Sequence, residues 1–97
     1  MTMERTVIAF DVDGTLIDND DKPRYNVINL LRLLSYQHTR IIVWSGGGQG
    51  YAEHWVRKLG LEKYVWACFA KDPDLALDIC FDDQPEFKMG KAVVIVR

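Results

Sequence analysis

Cysteine, histidine and long apolar runs are all scarce in this sequence, and each scarcity removes a class of protein. The two cysteines, Cys68 and Cys80, share no CxxC spacing, and neither of the two histidines is spaced to complete a zinc site with them. Both thiols sit in apolar runs and read as buried, reduced cysteines of a cytosolic protein. No stretch approaches the ~20 consecutive apolar residues of a membrane span. The apolar run that follows Met1–Arg5 is too short for a signal-peptide core. An excess of positive charge is missing too. With 12 Lys and Arg against 14 Asp and Glu the net charge is −2, so bulk electrostatics make no case for nucleic acid. Repeats, low-complexity tracts and Ser/Gly linkers are also absent, so residues 1–97 read as a single domain. What remains, 48% hydrophobic and 27% charged residues, is the composition of a small globular domain rather than a disordered chain.

Apolar runs and polar breaks alternate along the chain. Thr6–Phe10 is β-rich and continuously apolar, as a strand buried on both faces should be, and it stops at Asp11. Residues 13–25 are polar, include Gly14 and Pro23, and read as a long loop or tight hairpin. Val27, Leu30, Leu31 and Leu34 then trace one helix face, with Asn26 placed as its N-cap. Arg40–Trp44 is a second buried strand, and Ser45–Gly50 a glycine-rich turn. Tyr51, Ala52, Trp55, Val56 and Leu59 mark a second helix; Arg57 and Lys58 suit its C-terminal dipole and Gly60 its C′ position. Tyr64–Phe69, Asp78–Phe81 and Ala92–Val96 are three further strands, and Gln84–Gly90 is a loop or one turn. Trp44, Trp55, Trp66, Tyr51 and Tyr64 fall mostly on core-facing positions and read as packing rather than base-stacking surfaces. The alternation predicts an α/β fold, a three-layer, Rossmann-like parallel sheet of about five strands with few short helices.

Open sheets of this kind bind ligands at the carboxyl ends of their strands. The first strand is followed by Asp11-Val12-Asp13-Gly14-Thr15, the second by Ser45-Gly46-Gly47, the third by Ala70-Lys71 and the fourth by Asp82-Asp83. Taken singly, each has an ordinary explanation as a turn, a strand-ending loop or a solvated lysine. Together they would converge on one edge. Four carboxylates so placed cannot all stay ionised without a cation, because like charges raise one another's pKa. Oxygen-only ligands favour magnesium, which commonly sits between carboxylates and a substrate phosphate. A carboxylate can attack phosphorus, a second can serve as general acid and base, and a lysine, a hydroxyl and glycine amides can hold phosphate oxygens.

These residues resemble the haloacid-dehalogenase-like hydrolases, a superfamily made up mostly of magnesium-dependent phosphatases. Phe10-Asp11-Val12-Asp13-Gly14-Thr15-Leu16 matches the first motif, Ile41–Gly46 the second, and Asp82-Asp83 the fourth, with Lys71 the best candidate for the third. The resemblance spans residues 6 to 96. It implies Asp11 as nucleophile and metal ligand, and Asp13 as general acid/base and, through its backbone carbonyl, a further ligand. Ser45, Gly46 and Lys71 would bind the substrate phosphate, and Asp82 with Asp83 would complete a magnesium site. It implies as well a phosphomonoesterase without a cap domain, because Leu16–Arg24 has room only for a short flap. Capless relatives act on large substrates, such as a nucleic acid end or a protein, or form homo-oligomers that build a lid. No membrane partner is expected. The alternative is a catalytically weak binding or regulatory module on the same fold. A phospho-acceptor receiver domain fits less well, since the second strand ends in Ser45 and the third precedes Lys71, so no Asp takes the acceptor's place.

Overall fold

The computed structural model describes residues 4–84 and 90–97. Five strands form one all-parallel sheet: β1 (Thr6–Asp11), β2 (Thr39–Ser45), β3 (Ala67–Ala70), β4 (Ile79–Asp82) and β5 (Ala92–Ile95). Helix α1 (Tyr25–Ser35) joins β1 to β2, and α2 (Gln49–Lys58) joins β2 to β3. The spatial order is β3-β2-β1-β4-β5, so the apolar first strand is the central one. The chain leaves β1 toward β2 and later returns to β1's other side as β4. That reversal opens a crevice at the carboxyl end of β1.

The strand alternation sorts the core onto two faces. Ile8 and Phe10 of β1 and Ile41 and Val43 of β2 point to one face, where they meet Val27, Ile28 and Leu31 of α1 and Ala52, Trp55 and Val56 of α2. Phe10 stacks on Phe81 across the β1–β4 pair, with centroids 4.5 Å apart and planes within 4°. Each such side chain, when fully buried, contributes about 1.5–3 kcal/mol. Ala9, Ile42, Trp44 and Cys80 point the other way and pack with Leu77.

Both helices therefore lie on the same face. The β1–α1–β2 and β2–α2–β3 crossovers step across the sheet in one direction, and crossovers of a single hand then put both helices on one side. The third layer expected from the sequence is not helical among the described residues. In its place the 71–78 connection runs back over the second face and lays Leu75 and Leu77 on Trp44 and Cys80. The turn or loop expected over Gln84–Gly90 falls largely on residues 85–89, outside the described residues.

The starts of α1 and β3 differ from the sequence reading. Helix α1 starts at Tyr25, so Asn26 lies inside it and no side chain caps it. Arg24 N–H donates to the Leu16 carbonyl at 2.8 Å, and the Arg24 carbonyl accepts from Val27 and Ile28, which fixes the helix start earlier. Strand β3 begins at Ala67 because Tyr64 and Val65 N–H groups turn back onto the Leu61 carbonyl. Trp66, ahead of that strand, is 57% exposed, whereas Trp44 and Trp55 are buried as expected. Gly60 does take the left-handed conformation after α2, with φ 68°. Both cysteines are free, with Cys80 buried and Cys68 half-buried. Burial, with Asp82 nearby, pushes the Cys80 thiol up to about 12, so it is unreactive at neutral pH. No helix among the described residues is long and apolar enough to cross a membrane.

Candidate functional site

Register brings the acids together. Phe10 of β1 pairs with Phe81 of β4, so Asp11 and Asp82 follow side by side at the carboxyl ends of adjacent strands. On β1's other flank Asp11 pairs with Trp44, which sets Ser45 one step beyond. Asp11, Asp82 and Asp83 each offer a carboxylate oxygen within 4.8 Å of the other two, a grouping that a metal ion can bridge. Lys71, just past β3, reaches into the same place. Its Nζ lies 3.1 Å from Asp11 Oδ1 and 2.8 Å from Asp82 Oδ2. Asp82 Oδ1 accepts from the Gln84 N–H at 2.9 Å, so both of its oxygens are engaged.

The electrostatics of this cluster are unbalanced. Three carboxylates face one ammonium, in a site where Asp11 and Asp82 are buried. Burial, and then the Asp82 charge, raise Asp11 from 3.8 to about 7 against the opposing pull of Lys71. Burial raises Asp83 as well. Burial opposes the charge on Lys71, yet its hydrogen bond to Asp82 and the nearby Asp11 outweigh that and raise it. A hard cation with oxygen ligands would relieve the repulsion that Lys71 leaves in place.

Gly14 makes the close packing possible. It has φ 81°, and a Cβ there would collide with the Asp83 carboxylate. Glycine is required twice over, for the left-handed backbone and for the approach of Asp83. Arg24 clamps the same turn, its Nη1 donating to the Gly14 carbonyl at 2.6 Å.

Asp13 stands apart from the three-carboxylate cluster. Strand β1 ends at Asp11, and the Val12 carbonyl accepts from Thr15, Leu16 and Ile17 in a turn, so the strand alternation does not extend to Asp13. Its Oδ1 accepts from the Tyr51 hydroxyl at 2.7 Å, and that hydrogen bond raises the Tyr51 pKa. Tyr51, which reads from sequence as packing, is thus a polar neighbour of the site. No sequence pattern links a residue in α2 to one in the β1 turn.

Ser45 is buried, and its Oγ accepts from the Gly47 N–H at 3.0 Å. That bond occupies an acceptor position and leaves the hydroxyl hydrogen available to a ligand. It also engages the Gly47 amide. Asp11, Asp13, Ser45, Gly46 and Lys71 all line one pocket of about 760 Å3, together with Asp83. Gly14 and Gly47 line it too, as do Asn19, Asp72, Pro73 and Gln84, which the sequence does not single out. Asn19 comes from a small hairpin in which Ile17 pairs with Pro23, so this hairpin contributes to the pocket wall. Asp18 serves that hairpin, its Oδ1 accepting from the Asp20 and Lys22 N–H groups.

No family model matches the chain, and no curated protein is significantly similar to it. Among solved structures, the chain is similar to a hypothetical protein from Geobacillus kaustophilus HTA426, with a TM-score of 0.54 and 24% sequence identity. The match covers 68% of this chain and 24% of that one, so the likeness is one of fold over a fraction of the larger protein.

Proposed function

We propose that this chain is a magnesium-dependent phosphomonoesterase of the haloacid-dehalogenase-like type, working through an aspartyl-phosphate on an open site without a cap. The observation that carries the reading is the setting of Asp11. It is a buried carboxylate, ion-paired to Lys71 and flanked by Asp82 and Asp83 at the sheet's topological switch point. The donor set fits magnesium, since Asp11, Asp82 and Asp83 offer only hard oxygens. Magnesium supplies positive charge that offsets both the acid cluster and the phosphate oxygens.

The chain's own groups then have distinct tasks. The Ser45 hydroxyl and Lys71 ammonium take phosphate oxygens and hold the phosphorus in line with Asp11. An Asp11 oxygen attacks phosphorus as the ester P–O bond breaks, and Asp13 gives its proton to the leaving oxygen. Water next attacks the aspartyl-phosphate. Asp13 takes that water's proton, inorganic phosphate leaves, and Asp11 is again a free carboxylate. Tyr51 keeps the Asp13 carboxylate turned to the pocket mouth. The flap is too small to enclose a metabolite, which favours a phosphate carried on a large substrate.

Phosphate release from an aryl phosphate, with magnesium and with chelator, tests the reading. Wild-type release should require magnesium, and Asp11→Asn should lower it by roughly a thousandfold or more. Equal release from both proteins would sink the proposal. Intact metal binding without Asp11-dependent release would instead favour a regulatory module on this fold.

A further inference from the structure

A second cavity, of about 300 Å3, opens at the amino end of the sheet, where the proposed reaction uses nothing. Three rings and three cations are among its lining residues. Trp66 is 57% exposed and Tyr36, just after α1, is 73% exposed. The Arg40 guanidinium lies over the Trp66 ring, 4.7 Å from its centroid. Lys63 and Arg32 stand over Tyr64 at 5.1 and 5.6 Å, and Tyr36 meets Tyr64 edge to face at 6.1 Å. Arg5 lines the same cavity. No carboxylate lines it, and among the described residues none of these four cations joins an ion pair.

We propose that this end of the sheet binds single-stranded nucleic acid, with Trp66 and Tyr36 stacking bases and Arg5, Arg40 and Lys63 holding phosphates. The composition favours this ligand over other anions. Exposed indole and phenol rings offer flat apolar surface to a flat partner, and the cations beside them can meet an anion within one residue's reach. A nucleotide carries both at that spacing, whereas an acidic peptide or free phosphate supplies the charge and leaves the rings uncovered. The acid cluster does not oppose it, because that cluster sits at the far end of β2 and no carboxylate lines this cavity. Thr39 to Ser45 places it roughly 20 Å away, well beyond a Debye length of about 8 Å. The inference stands independently of the phosphatase reading, since it concerns different residues and is read as binding.

The test is fluorescence anisotropy of the full chain with a labelled oligothymidylate lacking terminal phosphates, across a salt series. Binding should weaken with salt, with a log–log slope near −2 for about three phosphate contacts. Trp66→Ala should weaken it by about 5- to 150-fold, while Trp66→Phe retains most of it. The double variant Arg40→Gln/Lys63→Gln should flatten the slope by about 1.4. Asp11→Asn should bind as wild type does. Absence of binding overturns the proposal, as does a folded Trp66→Ala that binds undiminished. Competition by base-free polyphosphate as strong as that by the oligonucleotide would make this a general anion surface and overturn it too. Self-association that Trp66→Ala abolishes, without oligonucleotide binding, would assign the patch to a second copy of the chain instead.

Discussion

At the carboxyl ends of β1 and β4, three carboxylates and a lysine are sunk into the fold, whereas at the amino ends of β2 and β3 cations and large rings lie on its surface. Asp82 is fully buried and each of its oxygens has a partner, while Trp66 is more than half exposed. The difference is one of tolerance. Buried charges need partners, so each residue at the carboxyl end depends on its neighbours. Exposed cations over rings are loosely coupled, and removing one leaves the rest in place. The first arrangement suits chemistry at one atom, the second an adaptable grip on a polymer.

Substitutions should separate the two ends by size of effect. Gly14→Ala strikes the carboxyl end hardest. It forces a side chain into the left-handed region and against Asp83, at a cost of about 2–4 kcal/mol in denaturant unfolding. A smaller loss would mean that Asp83 can move aside and the cluster is looser than its geometry indicates. Next comes pH. The folded state binds the Asp11 proton more tightly than the unfolded chain, since its pKa is raised from 3.8 to about 7, and Asp83 is raised in the same sense. Stability of the metal-free protein should therefore fall as pH rises across that window. Thermal melts in chelator at about pH 5 and about pH 8 read this, and magnesium should remove most of the difference. Asp18 and Asp78, held low chiefly by backbone N–H donors, lose their contribution only below that window.

Tyr51→Phe keeps the ring and removes the hydrogen bond to Asp13. It should cost about 0.5–1.5 kcal/mol in transition-state stabilisation, read as kcat/KM, with metal affinity unchanged. A loss of metal affinity would show that Asp13 helps to hold the metal. The smallest effect belongs to the amino end, where Trp66→Ala should shift unfolding stability by no more than about 0.5 kcal/mol. A larger shift would show that the ring supports the fold and would dissolve the contrast between the two ends.

Much of the carboxyl end was legible in the sequence because each apolar strand stops at a polar residue, and parallel strands put those stops on one edge. Asp11, Ser45, Lys71, Asp82 and Asp83 could be placed by that logic alone. Lys71 reaches the acids despite the short 71–78 connection, because that segment needs no helix to run back over the sheet. The amino end was not legible. Counting Tyr64–Ala67 as strand assigns Trp66 to the core, and only the turn onto the Leu61 carbonyl shows that the strand starts later. The Tyr51–Asp13 bond was hidden for a related reason, since it joins a helix to a loop that periodicity treats separately. Placement of both helices on one face follows from strand order, which no local pattern states.

The proposed chemistry turns on Asp11 accepting a phosphoryl group. The most direct measurement is peptide mass spectrometry after acid quench of the Asp13→Asn variant incubated with aryl phosphate and magnesium. That substitution removes the proton acceptor for the attacking water, so the adduct should accumulate. One phosphoryl group is expected on the peptide containing Asp11, dependent on magnesium and absent in Asp11→Asn/Asp13→Asn. A phosphoryl group on another residue, or none while wild-type protein turns the substrate over, would contradict it.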